Sequence, residues 1–407
     1  MNALWRIEPE WLFDGGSEQV MLNQAVVIRG TTIEAVGPAA QLDGSAIERR
    51  LVLPGVTLLP GLIDAHAHLT LSGGVTPRQT VMREDNELLL LRAAAAAREA
   101  LFNGITTVRD CGDRDGVTFV LREAIRRGIT DGPTLLLSGP PLTPPRGHCY
   151  FLRGEVEDQE HIRVIVQSLA ARGADLIKVM ATGGGLTPGT NALALQFATQ
   201  DLTFIVEEAS RHGLPVAAHA HSTESIAACV QAGVRTIEHG SFITAGGVAA
   251  DPEITRTITE RNIAVVPTGV PAANALREGR ALGLARQIGL SSEAFLARHQ
   301  EVVEVLVRSG VQVIAGTDGG ATGVHIRDLH GEIEMLAAAG VGAGKALQAA
   351  TSSSAAALRL AKVGCIAPGY TADLLGVSGN PLDRLAALQL PVLVVRAGRK
   401  IREDCSQ

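Results

Sequence analysis

Apolar and polar positions follow two different rhythms along this chain. Near its start, apolar residues come in short β-rich runs: Gln19-Val-Met-Leu, Ala25-Val-Val-Ile-Arg and Thr32-Ile-Glu-Ala-Val. Near its end, Ala372-Asp-Leu-Leu-Gly-Val and Val392-Leu-Val-Val-Arg-Ala-Gly repeat the style. Glycine pairs, Gly-Pro and Asn-Pro steps separate these runs, which therefore read as strands joined by turns. Short strands need partners and chain ends commonly lie together, so residues 1–57 and 364–407 are expected to share one small β-sandwich. Between them, over 58–363, the pattern changes to strand–helix alternation. Strands are predicted at 58–64, 105–109, 134–137, 176–179, 215–219, 235–238, 263–266 and 312–315. Several are wholly apolar, as parallel strands covered on both faces are. Helices are predicted at 88–102, 117–127, 161–172, 203–212, 225–231, 293–309 and 330–339. The first has Asp85 or Asn86 as N-cap and Gly104 as its stop. Eight strands alternating with helices predict an α/β fold of the (β/α)8 TIM-barrel type, the alternative being an open doubly wound sheet. No Gly-x-Gly-x-x-Gly follows the first strand, which counts against that alternative.

Composition narrows the setting. The 407 residues are 46% hydrophobic and 19% charged, enough for a large barrel with a small second domain. Aromatics make up only 3%, so the core has to be packed with Ala, Val, Leu and Ile. A net charge of −6 with no Lys/Arg block argues against a nucleic-acid or anionic-membrane partner. Cys111, Cys149, Cys229, Cys365 and Cys405 are odd in number and scattered, which indicates neither a disulfide framework nor a thiolate zinc site. No apolar run approaches the roughly 18 residues of a membrane span. Acids stand early in the chain where a signal peptide needs an apolar run, so a cytoplasmic setting is expected.

Candidate chemistry sits at the strand ends, which in such a barrel converge on one mouth. His66 and His68 close the stretch Leu58-Leu-Pro-Gly-Leu-Ile-Asp-Ala-His-Ala-His-Leu. On extended backbone, residues two apart face the same way, so both imidazoles can reach one ion. The later strand ends add Lys178, His219, His239 and Asp318. This nitrogen- and oxygen-rich set suits zinc or a similar divalent ion. Lys178 lies inside the apolar run Leu176-Ile-Lys-Val-Met-Ala. A buried ammonium is costly, and a neutral amine facing a metal pair can react with carbon dioxide to give a bridging carbamate. The ordinary alternative is a lysine that snorkels or pairs with Asp175 or Glu224. In Ala218-His-Ala-His-Ser the first histidine, nearer the strand, is the ligand choice. His221 is left open: it contacts substrate, or it supports the ligands from behind or stands in solvent. Asp318 can ligate and can shuttle a proton.

These motifs together resemble the amidohydrolase superfamily. The likeness is to the branch with a binuclear site bridged by a carboxylated lysine, and especially to prolidase-like (Xaa-Pro dipeptidase) and imidazolonepropionase-related enzymes. Leu59-Pro-Gly-Leu-Ile-Asp-Ala-His-Ala-His, Leu176-Ile-Lys-Val-Met-Ala-Thr-Gly-Gly, Ile237-Glu-His-Gly and Gly316-Thr-Asp carry it, with Gly364-Cys-Ile-Ala-Pro-Gly-Tyr-Thr-Ala-Asp-Leu at the return into the terminal strands. The resemblance implies that His66, His68 and Asp318 hold one metal and that His219 and His239 hold the other. Carboxylated Lys178 and a hydroxide would bridge the two. It also implies that the hydroxide attacks an amide carbonyl while Asp318 passes its proton to the leaving amine.

The loop Pro144-Pro-Arg-Gly-His-Cys-Tyr follows the third strand and offers substrate contacts: Arg146 for a carboxylate, His148 for the carbonyl oxygen, Tyr150 to orient either. His325 and Arg327 follow the last strand and are weaker candidates. Gly183-Gly-Gly lacks the Lys-Ser/Thr ending of a phosphate loop and reads as a close-approach turn. Cys111 and Cys149 sit in no nucleophile context. The expectation is a metal-dependent hydrolase of a dipeptide such as Xaa-Pro, or of an N-acyl amino acid, acting on a small carboxylate-bearing substrate, and homo-oligomeric. Hydrolysis of a cyclic amide, carbamate, urea or lactone is the first rival. A deaminase is the second, counted against by Lys178, and a non-catalytic barrel the third.

Overall fold

The computed structural model describes residues 4–42 and 47–404; Cys405 lies outside them. Five strands open the chain: β1 (Leu4–Leu12), β2 (Met21–Leu22), β3 (Gln24–Arg29), β4 (Thr32–Pro38) and β5 (Ile47–Pro60). The middle carries β6 (Leu62–Ala67), β7 (Ile105–Asp110), β8 (Thr134–Leu137), β9 (Ile177–Met180), β10 (Val216–Ser222), β11 (Thr236–Thr244), β12 (Gly247–Val248) and β13 (Ala264–Val266). The last three are β14 (Leu374–Ser378), β15 (Pro391–Arg396) and β16 (Arg399–Glu403).

Strands from both ends of the chain form one hydrogen-bonded sheet in the order β16-β15-β14-β5-β1-β3-β4, with β2 on β1. The long β5 stitches the ends together, parallel to β1 along most of its length and antiparallel to β14 over its last turn toward the middle segment. Trp5, Ile7, Ile28 and Ile33 from one end pack with Leu374, Leu393 and Val395 from the other. The expected sandwich of two sheets is thus a single continuous sheet enclosing that core. Its β5 also corrects the expected strand at 58–64. Leu58–Pro60 belongs to β5, Gly61 breaks the run, and β6 begins at Leu62. A Cβ at position 61 would lie 2.2 Å from Thr106 Oγ1, so only glycine fits that crossing.

In the middle, β6-β7-β8 form one parallel sheet and β9-β10-β11-β13 another, with β12 antiparallel on β11. Helices alternate with them, among others Asn86–Phe102, Val117–Arg126, Gln159–Ala171, Thr199–Arg211, Thr223–Ala232, Pro252–Glu260 and Ser292–Arg308. Asp85 caps the first, its carboxylate accepting from Leu88 N–H at 2.9 Å. Backbone bonds join the two sheets along both edges. On one side Leu142 N–H donates to Lys178 O (2.8 Å) and Met180 N–H to Leu142 O (2.9 Å). On the other, residues 312–319 lie between β13 and β6. Val265 N–H donates to Gln312 O (2.9 Å), Ala65 N–H to Ala315 O (3.0 Å) and His68 N–H to Gly319 O (2.7 Å). The expected strand at 312–315 is therefore an extended segment with one bridge at Val313 rather than a ladder. Its polar stitch is Asp64, which accepts from His66 N–H (3.1 Å), Thr317 N–H (3.0 Å) and Thr317 Oγ1–H (2.7 Å).

The interior is small-residue aliphatic, as the scarcity of aromatics requires: Ala65, Ala264, Val266, Ile314 and Ala357 cluster inside the strands. Leu375, Val377 and Val394 of the terminal sheet share a core with Leu62, Leu101 and Ile105, fixing that sheet against the middle segment. Among the described residues no helix is long and apolar enough to cross a membrane.

Candidate metal centre and active site

A cavity of about 240 Å³ opens at the C-terminal ends of the parallel strands. His66, His68, His148, Lys178, His219, His221, His239 and Asp318 all line it. Residues more than 250 positions apart in sequence are brought to one place because each follows its strand to the same end.

Two groups of donors stand side by side. His66, His68 and Asp318 have ligand atoms within 4.8 Å of one another, as do His219, His221 and His239. The rings of His66 and His239, one from each group, have centroids 5.1 Å apart. Asp318 Oδ1 lies 3.6 Å from His66 Nε2 and 3.5 Å from His68 Nε2. Both His239 (φ 70°) and Asp318 (φ 58°) adopt left-handed backbone, an uncommon choice for side-chain-bearing residues that the surrounding bonds impose.

The hydrogen bonds behind each ring fix which nitrogen holds the proton. His68 Nδ1 faces Gly112 O at 3.0 Å, and a carbonyl only accepts, so Nδ1 donates and Nε2 presents its lone pair. By the same logic His219 Nε2 donates to Gly183 O (3.1 Å) and frees Nδ1. Thr268 Oγ1–H donates to Pro267 O (2.7 Å), so its oxygen accepts from His239 Nδ1–H (2.6 Å) and His239 Nε2 is free. His66 Nδ1 donates to Glu238 Oε2 (2.7 Å), and Arg109 Nη2 holds the other carboxylate oxygen at 2.8 Å. That arginine and His66 keep the Glu238 carboxyl below the usual range against the opposing effect of burial. Four lone pairs are thus presented by neutral rings. Burial first, with the Lys178 charge among the further causes, lowers His66 to about 3 and His68 to about 4, and holds His219, His221 and His239 well below 6.5. Burial also raises Asp318 to about 7.

Lys178 is 1% exposed, and its Nζ has no hydrogen-bond partner among the described residues. The pairing partners considered from sequence are elsewhere engaged. Asp175 binds Arg122 Nη1 at 2.6 Å, and Glu224 is exposed. An unpaired buried ammonium is a large cost, so this atom marks a place where something is missing from the protein alone.

His148 is buried with Nδ1 unpartnered, its ring 4.6 Å from that of His219. Gly184 passes so close that a Cβ there would lie 2.6 Å from the His148 ring, in keeping with a close-approach turn at 183–185. His221 Nδ1 bonds Ser241 Oγ at 3.0 Å. Three expected substrate contacts do not line the cavity. Arg146 is exposed, its backbone N–H bound to Glu155 (2.6 Å); Tyr150 begins a short turn packed against Phe151; His325 is exposed and caps the turn at 326–328. Arg327 instead pairs with Glu99 on the outside. Cys111 and Cys149 are buried, with thiols pushed up to about 12 by burial, which leaves them protonated at neutral pH. Sequence reasoning missed Glu238, Thr268, Arg280 and His299. The last lines the cavity with Nδ1 unpartnered and Nε2 donating to Pro267 O at 3.1 Å.

Comparison with known proteins gives the family. The model of the Amidohydrolase family matches residues 57–401, most of the chain, which therefore belongs to that family and is a hydrolase acting on carbon–nitrogen bonds. Ochratoxinase of Aspergillus niger is 27% identical, over 93% of this chain and 82% of that protein. Its crystal structure superposes with a TM-score of 0.86 at 25% identity, covering 99% and 96% of the two chains. A crystal structure of a Xaa-Pro dipeptidase with bound methionine in the active site gives a TM-score of 0.88 at 27% identity, covering 98% and 100%. Imidazolonepropionase of Pseudomonas aeruginosa is 26% identical over one third of each chain. These likenesses support a metal-dependent amide hydrolase with a TIM-barrel type of fold.

Proposed function

We propose that the chain binds two divalent cations, zinc among the candidates, and hydrolyses the amide bond of a dipeptide such as Xaa-Pro or of an N-acyl amino acid. The barrel that carries the site, expected over 58–363, begins at Leu62 and is closed by the bonds at Leu142 and at 312–319, with the terminal sheet, whose β5 runs on to Pro60, as a second domain built from both chain ends. The observation that carries the reading is Lys178 Nζ, buried and unpartnered beside two donor groups. Carbon dioxide adding to the neutral amine forms an N–C bond and releases one proton. An orphaned cation site becomes an anionic oxygen donor facing both groups. His66, His68 and Asp318 form one set of donors and His219 and His239 the other, with His221 beside them.

When bound, such a pair acidifies water and polarises a carbonyl oxygen. The residues do the rest. Asp318, at the cavity surface, takes the proton of the attacking water at a carboxylate oxygen and returns it to the departing nitrogen. His148, a neutral ring lowered to about 3 by burial, offers a hydrogen bond to the developing oxyanion. Pro267, Pro271, Leu284 and Phe295 keep the far wall apolar and the bond being cut away from bulk water.

Metal analysis of zinc-loaded protein and a screen of Xaa-Pro dipeptides and N-acyl amino acids test this. Two ions per chain and amino-acid release are expected. Lys178→Ala should lose at least about 10³-fold in kcat/KM, as loss of a central element of a catalytic unit does. Full turnover by that variant with metal bound rejects the bridged site, and one ion per chain with ammonia release points to a deaminase instead.

A further inference from the structure

Apart from Lys178 and the donor groups described above, the cavity lining includes one further cationic side chain, Arg280. Arg280 lies beyond the helix Val270–Arg277, and its guanidinium is committed on one edge only: Nε pairs with Glu278 Oε2 at 2.5 Å. Nη2 is buried and has no partner among the described residues. The guanidinium lies over the loop that follows Asp318. Gly323 in that loop has φ +72°, and a Cβ there would sit 1.9 Å from Nη2. Glycine at that position leaves room for the cation, and Glu278 holds it in place.

The lining of the same cavity also includes hydrocarbon side chains: Ala281, Leu282, Leu284 and Phe295. A guanidinium edge without a partner in such surroundings is costly, and a planar carboxylate matches it in shape and charge. Resting on the hydrolase reading above, we propose that Arg280 anchors a free carboxylate of the substrate. The preferred substrates are then amides of apolar amino acids that keep their α-carboxylate, with the aliphatic or aromatic side chain against Leu282, Leu284 and Phe295. Arg146, the arginine that the sequence pattern favours for this task, is exposed outside the cavity.

The test uses binding, so that it does not depend on turnover. L-Leucine and L-leucinol, which differ only in carboxylate against hydroxymethyl, are titrated calorimetrically into zinc-loaded full-length protein, Arg280→Met and Arg280→Lys. Wild type should bind leucine at least about tenfold more tightly than leucinol, Arg280→Met should bring the ratio near one, and Arg280→Lys should keep part of it. Metal content and melting temperature of both variants should match wild type, which separates loss of the anchor from loss of the fold. Equal binding of the two probes by wild type, or an undiminished ratio in Arg280→Met, overturns the anchor. Failure of the amide screen with the ratio intact rejects the hydrolase reading and leaves the anchor standing.

Discussion

Two buried glutamates lie near the two histidine groups, and their surroundings push their carboxyls in opposite directions. Glu238, behind His66, is held as carboxylate by Arg109, with Thr236 Oγ1 bound to the same oxygen. Glu332 accepts from Val270 N–H at 3.1 Å, next to the turn that presents Thr268 to His239. Among the described residues no arginine pairs with it, and burial, outweighing the backbone N–H groups of Val270, Gly269 and Thr268, raises its carboxyl to about 8. The same residue type therefore gives one group of imidazoles a negative backing and the other a neutral scaffold. The difference lies in whether a cation was buried along with the acid. A carboxylate behind a ring raises its basicity as a ligand, so the His66 group should hold its ion more tightly than the His239 group.

Removing that charge should have the largest effect. Glu238→Gln keeps the shape but strands Arg109, and is expected to cost about 3–5 kcal/mol in urea unfolding and to weaken metal binding roughly 10- to 100-fold, with the tighter of two calorimetric steps the one that moves. A variant that shifts only the weaker step would reverse the ranking of the two groups. Next comes Glu332→Gln. The folded carboxyl holds its proton up to about 8 while the unfolded one releases it near 4.5, so wild-type stability falls as pH rises through that window and levels off above it. The variant should lose this decline, by on the order of 4 kcal/mol, in urea melts taken from pH 4.5 to 8.5. An unchanged slope would mean that Glu332 is charged and the contrast with Glu238 is gone. The smallest effect is expected from Thr268→Val, which removes the acceptor of His239 Nδ1–H. The weaker metal step should drop by about tenfold with the tighter one unmoved.

Much of the middle segment was legible in the sequence because its signals are local. Apolar runs at 105–109, 134–137 and 176–179 become β7, β8 and β9 almost residue for residue, and His-x-His at a strand end puts two rings on one face wherever it occurs. What the sequence concealed depends on distant partners. In β1, Leu-Trp-Arg-Ile-Glu-Pro-Glu-Trp-Leu mixes charges and a proline into a strand, and its charges find distant partners: Arg6 donates to Ala39 O, Glu8 pairs with Arg50 of β5, and Glu10 accepts from Gly55 N–H. The segment 312–315 has a strand's composition but is fastened by Asp64 and Thr317 side chains in place of a ladder. At the site, Arg146 and Arg280 look alike as letters. Their place in the fold distinguishes them: Arg280 lines the cavity, under a glycine 43 positions further on, and Arg146 does not. Glu238 sits in a motif next to His239, yet its partner is His66, far away in sequence and adjacent only once the strands are side by side.

The bonds along residues 312–319 also decide how Asp318 could act in the proposed reaction. A proton carrier has to meet two atoms in succession, first where water is split and then where nitrogen departs. Asp318 N–H is bound to His66 O at 2.8 Å, and its neighbours Thr317 and Gly319 are held by Asp64 and by His68 N–H. With the main chain pinned on both sides of it, the acid would serve its two duties by turning about its own side-chain bonds while the mouth keeps its shape.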